Sequence, residues 1–190
     1  FCDAILPADH RPPSEKGKIK KIPDFILFAG IHRRRCHRCR RRCQRSEGST
    51  FRHLADPADG REYLLFTASV AGAKSEHNGA VGIARREQDG WHLLPPLIHA
   101  DGVNNELERA HAVFHAGRYY VFWATQSFTF APDVREMPNG LYGMVADSLF
   151  GPYRPLNGSG LVLRNPADEP FQTYSWFVTG DLEVSAFVDF

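Results

Sequence analysis

Gly60-Arg61-Glu62-Tyr63-Leu64-Leu65-Phe66 and Gly117-Arg118-Tyr119-Tyr120-Val121-Phe122-Trp123 are two versions of one pattern: a turn glycine, an arginine, then an apolar strand starting two residues on. Asp56-Pro57-Ala58-Asp59 leads into the first, and His111-Ala112-Val113-Phe114-His115 is the strand that turns back into the second. Runs rich in aromatic and β-branched residues, bounded by Gly, Pro, Asn and Asp, read as strands joined by turns. Working outward, the same reading gives strands at 62–68, 80–86 and 91–94, with Asp89-Gly90 as a hairpin turn between the last two. Further strands follow at 111–115, 119–123, 140–146, 160–163, 174–178 and 184–188. No amphipathic helix lies between them, so the chain is expected to be all-β with antiparallel strands. That strand count fits a sandwich, a barrel or a propeller. Paired hairpins recurring every ~40 to 50 residues lean toward propeller blades, about three of them.

The chain divides in two by charge. Residues 16–45 hold 12 of the 23 Lys and Arg against one acid, Asp24, while the other 160 residues carry 11 basic and 21 acidic side chains. Residues 1–50 are therefore read as a divergent N-terminal segment with a basic Arg/Cys tract, and 51–190 as the propeller part. The acidic remainder has no general affinity for polyanions, and the arginines alone would bind phosphates in a strongly salt-dependent way, so no specific nucleic-acid partner is expected. Within the basic segment Phe25-Ile26-Leu27-Phe28-Ala29 reads as one possible buried strand. Cys36, Cys39 and Cys43, with His32 or His37, are candidate zinc ligands. Structural zinc sites usually join two ligand pairs across a loop, and these cysteines crowd into eight residues, so no metal and no cofactor are expected. No stretch approaches the ~20 apolar residues that span a bilayer, and no secretion signal opens the chain.

The chemistry is expected in Asn104-Asn105-Glu106-Leu107-Glu108-Arg109, which precedes an apolar strand and so stands at a strand's entry. Residues two apart in an extended chain share a face, ~6.5 to 7 Å apart, so Glu106 and Glu108 point the same way. Two like charges at that distance raise at least one pKa, which keeps a carboxyl protonated for general-acid work. Cleavage of a glycosidic bond needs such an acid. The same four residues would also suit a solvated, salt-bridged edge, and spacing alone does not separate the two.

Glu106-Leu107-Glu108-Arg109-Ala110 with the following hairpin resembles the acid/base motif of glycoside hydrolase family 68, the levansucrases and inulosucrases. Further stretches agree in order: His77-Asn78-Gly79-Ala80-Val81-Gly82-Ile83-Ala84, Pro95-Pro96-Leu97-Ile98, Asn139-Gly140-Leu141-Tyr142-Gly143-Met144-Val145, Ser148-Leu149-Phe150-Gly151-Pro152-Tyr153-Arg154-Pro155-Leu156 and Thr173-Tyr174-Ser175. Together they cover residues 56–190. The resemblance implies a five-bladed β-propeller in which sucrose gives its fructosyl unit to a carboxylate, then to a growing fructan or to water. It puts Glu108 in the place of the acid/base, Glu106 and Arg109 at sugar-binding positions, Tyr174 beside the catalytic carboxylates, and Gln126 where the family varies its control of polymer length. Sucrose and fructan acceptors are the implied partners, and an extracellular or periplasmic setting the implied location.

The pattern also departs from the family. A retaining mechanism needs a nucleophilic carboxylate as well as the acid, and the family's Trp-Asp pair is not found: Trp91, Trp123 and Trp176 precede His92, Ala124 and Phe177. Phe1-Cys2-Asp3-Ala4 resembles a stretch that follows that nucleophile, and the chain ends short of the family's last blade, so it is expected to be a fragment. The stabilising aspartate of an Arg-Asp-Pro motif would fall at Thr50, while Asp56-Pro57 is by register the later turn. The Arg-rich tract occupies the place of ordinary blade strands and reads as translation out of register. This chain is accordingly expected to be inactive, with a non-catalytic sugar-binding or misfolded fragment as the alternative and a basic nucleic-acid-binding segment at residues 16–45 as a more remote one.

Overall fold

A computed structural model describes residues 6–7, 51–134 and 137–188. The strand expected at 25–29, the Arg/Cys tract and Thr50 lie outside the described residues. Five strands, β1 (Leu6–Pro7), β2 (Phe51–Ala55), β3 (Glu62–Ser69), β4 (Gly79–Glu87) and β5 (Gly90–His99), form one antiparallel sheet in the order β1-β5-β4-β3-β2. A second sheet runs β10-β8-β7-β6, from β6 (Glu108–His115), β7 (Arg118–Thr125), β8 (Gly140–Ala146) and β10 (Leu161–Arg164), with the short β9 (Arg154–Pro155) also paired to β8. A hairpin of β11 (Thr173–Val178) and β12 (Val184–Val188) follows. The described residues contain one 3-10 turn, Ser127–Thr129, and no α-helix.

Each large sheet is built on four strands taken in chain order, β2-β3-β4-β5 and β6-β7-β8-β10, which is the meander of a propeller blade. The expected hairpins are present: β4 pairs with β5 across the Asp89-Gly90 turn, and β6 with β7 across Ala116-Gly117. The repeated turn glycines do the same job, since Gly60 (φ 70) and Gly117 (φ 79) both occupy the left-handed region before the second strand of their blade. The strand expected at 91–94 continues to His99 through Pro95 and Pro96. There the pairing with β4 slips, from Ile83↔Leu94 to Val81↔Ile98, so the prolines sit in an irregularity where a missing N–H costs no ladder bond.

The middle strands are covered on both faces, which is why β8 is buried throughout and reads as an unbroken apolar run. One core joins the two sheets, with Leu65, Ile83 and Leu97 from the first and Ala110, Val121 and Met144 from the second, together with Leu107 just before β6. A smaller one joins the second sheet to the hairpin through Phe122, Leu141, Trp176 and Val178. Asp56 also ties the blades. It is buried, accepts Ala58 N–H at 2.9 Å within its own turn, and accepts the Tyr119 hydroxyl from the neighbouring blade. These contacts make Asp56-Pro57 a structural turn.

The same irregularity occurs in two successive units. Between Glu108↔Ala124 and His111↔Phe122, β6 carries one residue more than β7, and Arg109 takes φ 53. Between Tyr174↔Phe187 and Phe177↔Ser185, β11 carries one more than β12, and Ser175 takes φ 62. Each is a β-bulge with a left-handed residue just after its first position, a device that re-aims side chains at a strand's entry. Glu108 and Tyr174 thus occupy equivalent positions in adjacent units.

Candidate active site

Leu107 is 1% exposed, so its side chain anchors the run in the core, and the alternation of an extended chain leaves Glu106 and Glu108 on the opposite face, both partly buried. The backbone between them is pinned by side chains from three places. Asn104 Oδ1 accepts Glu106 N–H at 2.7 Å. Thr125 Oγ1, at the end of β7, donates to the Glu106 carbonyl at 2.9 Å, and Thr67 Oγ1, from the other blade, donates to the Leu107 carbonyl at 2.8 Å. Asn104 is itself buried, and its Nδ2 donates to Thr125 Oγ1 at 3.1 Å and Thr129 Oγ1 at 3.0 Å. Every polar atom of that side chain is therefore satisfied, which fixes the amide orientation.

Gly79 closes the loop from the other side. Its N–H donates to the Asn104 carbonyl at 2.8 Å, and a Cβ at this position would lie 2.8 Å from the carbonyl carbon of Asn105 and 2.9 Å from the nitrogen of Glu106. Only a residue without a side chain lets the backbone pass this close.

Burial, then the charge and hydrogen-bonding influence of Glu108, raise Glu106 to about 7 from the ordinary 4.5. The sequence places the acid/base at Glu108 and the structure puts the raised pKa on Glu106. Glu108 is the neighbour whose charge adds to the effect of burial on Glu106. Glu108 Oε2 is shielded from solvent and has no hydrogen-bond partner among the described residues. A buried polar atom without a partner calls for an explanation, and a bound water or a catalytic role is one.

Arg109 and Tyr174 complete the cluster. The Arg109 guanidinium lies 5.3 Å from the centre of the Tyr174 ring, a cation–π contact. Burial and the Glu108 carboxylate push the Tyr174 hydroxyl above its ordinary value, while Arg109 pulls it the other way. The ring is 42% exposed, so it borders solvent as a ligand-facing group would. Glu106, Glu108, Arg109 and Tyr174, four of the five residues singled out from the sequence, are thus together. The fifth, Gln126, stands two residues past Ala124, the partner of Glu108, and leads the Ser127–Thr129 turn without a side-chain capping bond. Its carbonyl accepts Thr129 Oγ1 at 2.8 Å, so its backbone belongs to the network under Glu106.

A cleft of about 590 Å³ lies between β2, β6 and β11, but Glu106 and Glu108 do not line it. It runs along the strand flanks, whereas the carboxylates sit at the strand entry. The acids' electrostatics and the unpaired oxygen, not the size of a hollow, mark the site.

A family model described as Levansucrase/Invertase, glycoside hydrolase family 68, matches residues 76–190. The chain belongs to this family. A levansucrase from Erwinia amylovora is 39% identical over 178 residues, covering 77% of this chain and 43% of that protein. One from Pseudomonas syringae pv. actinidiae is 40% identical over 160 residues, covering 70% and 37%. Among solved structures, an inulosucrase from Halalkalicoccus jeotgali bound to kestose is 50% identical with a TM-score of 0.62, covering 67% of this chain and 35% of that one. A levansucrase from Gluconacetobacter diazotrophicus is 25% identical with a TM-score of 0.64, covering 73% and 39%. The chain therefore spans well under half the length of the family members it matches.

The pinning residues Asn104, Thr67, Thr125, Thr129 and Gly79 carry no role in the sequence reading. Asn104 had a signal, since an Asn two residues before a Glu suits an Asx-type bond to its N–H. Thr67 had none, standing 40 residues from the carbonyl it holds.

Proposed function

We propose that this chain carries the proton-handling side of a levansucrase-type site acting on sucrose, with Glu108 as general acid/base and Glu106, Arg109 and Tyr174 holding the sugar. The observation that supports it most is Glu106, raised to about 7 beside Glu108, whose Oε2 is shielded and has no hydrogen-bond partner among the described residues. A protonated carboxyl there would give its proton to the departing glycosidic oxygen, and Arg109 would offer a fork of donors to sugar hydroxyls. Gln126 would meet the acceptor beyond. Fructan or water is the proposed acceptor, and an extracellular or periplasmic setting the proposed location.

A retaining transfer requires a carboxylate facing the acid across the scissile bond, at ~5 to 5.5 Å. Glu106 shares the face of Glu108 and so cannot oppose it. We infer that residues 51–190 by themselves bind sucrose without turning it over. The test is to incubate the purified full chain with sucrose, follow glucose release, and record binding by ligand-detected NMR. Binding that weakens in Glu108→Gln, with no glucose released, is expected. Glucose release abolished by the same substitution would overturn the inference of inactivity.

A further inference from the structure

The bulge that aims Glu108 puts Arg109 at φ 53, a conformation that disfavours any residue with a Cβ by roughly 1 to 2 kcal/mol. Its surroundings must hold it there. His111, two residues on, has both ring nitrogens engaged: Nδ1 is 2.9 Å from the Arg109 carbonyl oxygen, and Nε2 is 3.0 Å from the backbone nitrogen of Val178. A backbone N–H can only donate, so Nε2 accepts and the ring proton sits on Nδ1, where it donates to Arg109. The ring is 3% exposed and stacks on Phe177 at 4.9 Å between centroids. One neutral imidazole therefore joins the bulge carrying Glu108 and Arg109 to the strand carrying Tyr174.

We propose that His111 is a positioning residue of this site: its Nδ1–H holds the Arg109 bulge and with it Glu108, while Nε2 docks β11 so that Tyr174 meets Arg109. The proposal rests on the reading that this cluster is the sugar site, but its two arms can be measured without any sugar. Asn can place a donor where Nδ1 stands, and Gln can place an acceptor where Nε2 stands, so the two substitutions separate the two bonds.

The experiment records, on the full chain, the Glu106 carboxyl titration by carbon-detected NMR and hydrogen exchange at the Val178 amide, in wild type, His111→Asn, His111→Gln and His111→Phe. His111→Asn is expected to keep the Glu106 midpoint near 7 while Val178 exchanges about tenfold faster. His111→Gln is expected to keep Val178 protected while the midpoint falls by about one unit, because a relaxed bulge carries Glu108 away from Glu106. His111→Phe, which keeps the stacking, should show both changes. Variants that fold with the wild-type midpoint and wild-type protection would overturn the proposal and leave the ring as packing only. If His111→Phe does not fold, the Asn and Gln pair decides. Failure of wild type to bind sucrose would strike the functional reading instead and would leave these differences in place.

Discussion

His111 and Phe177 end equivalent bulges in adjacent units and stack ring on ring, 4.9 Å between centroids and 28° between planes. Three residues earlier in each strand stand Glu108 and Tyr174. The repeat that builds the fold therefore also brings the acid and the tyrosine to one place.

This packing has a pH signature. Burial, with a smaller contribution from the Arg52 charge and against the Arg109 carbonyl, lowers His111 to about 4 from the ordinary 6.5. Between those values the unfolded chain binds a proton that the folded chain refuses. Its contribution to stability is full above pH 6.5 and is lost as pH falls toward 4, on the order of 2 kcal/mol in total. Urea unfolding of wild type and His111→Phe at pH 7.5 and 4.5 should show the smaller pH effect in the variant.

Glu106 works in the opposite sense. Its pKa is raised in the fold, so its contribution is full below pH 4.5 and is lost as pH rises through 7. In wild type this offsets part of the His111 slope. Glu106→Gln should therefore gain stability with pH more steeply than wild type between 4.5 and 6.5, and be the more stable of the two at pH 8 by about 1 kcal/mol, allowing for solvent screening. Melting curves across that range check both signs.

Gly79→Ala should injure the site at a distance from its chemistry. The added methyl would meet backbone atoms of Asn105 and Glu106, which cannot swing aside as a flexible side chain can. A loss of roughly 1 to 3 kcal/mol is expected, together with a fall in the Glu106 titration midpoint as the loop is pushed outward. Thermal denaturation and carboxyl NMR measure the two effects.

Asn104→Ala should be costly for a different reason. It removes the acceptor of Glu106 N–H and strips Thr125 and Thr129 of a donor, all in a buried setting. A loss of about 1 to 3 kcal/mol is expected from the unpaired groups. Thr125→Val, which removes the bond to the Glu106 carbonyl, should couple with it in a double-mutant cycle rather than add.

Much of the fold was legible because local signals agree with it: a turn glycine, then an apolar run, twice over, gave the strands that became β3 and β7. Strand β2 was missed because Phe51-Arg52-His53-Leu54-Ala55 has no fully buried face, and its exposure alternates between partial and open. The strand ending at Leu94 was cut short because two prolines argue against a continuing ladder, and only the register slip in β5 accommodates them. The shared face of Glu106 and Glu108 follows from strand periodicity alone. The left-handed turn at Arg109 does not, because the His111 ring that meets its carbonyl is itself placed by Val178 and Phe177, more than sixty positions away.

Leu107 sits between the two carboxylates with its side chain sealed in the core common to both blades. The most water-averse residue of the loop is therefore the one that aims its two most water-loving neighbours. Variation at this point cannot be sorted into changes of fold and changes of chemistry: a leucine swapped for another apolar shape would turn the acid pair as a key turns a lock. Tolerance to substitution at position 107 should thus be limited by the core and the ligand together.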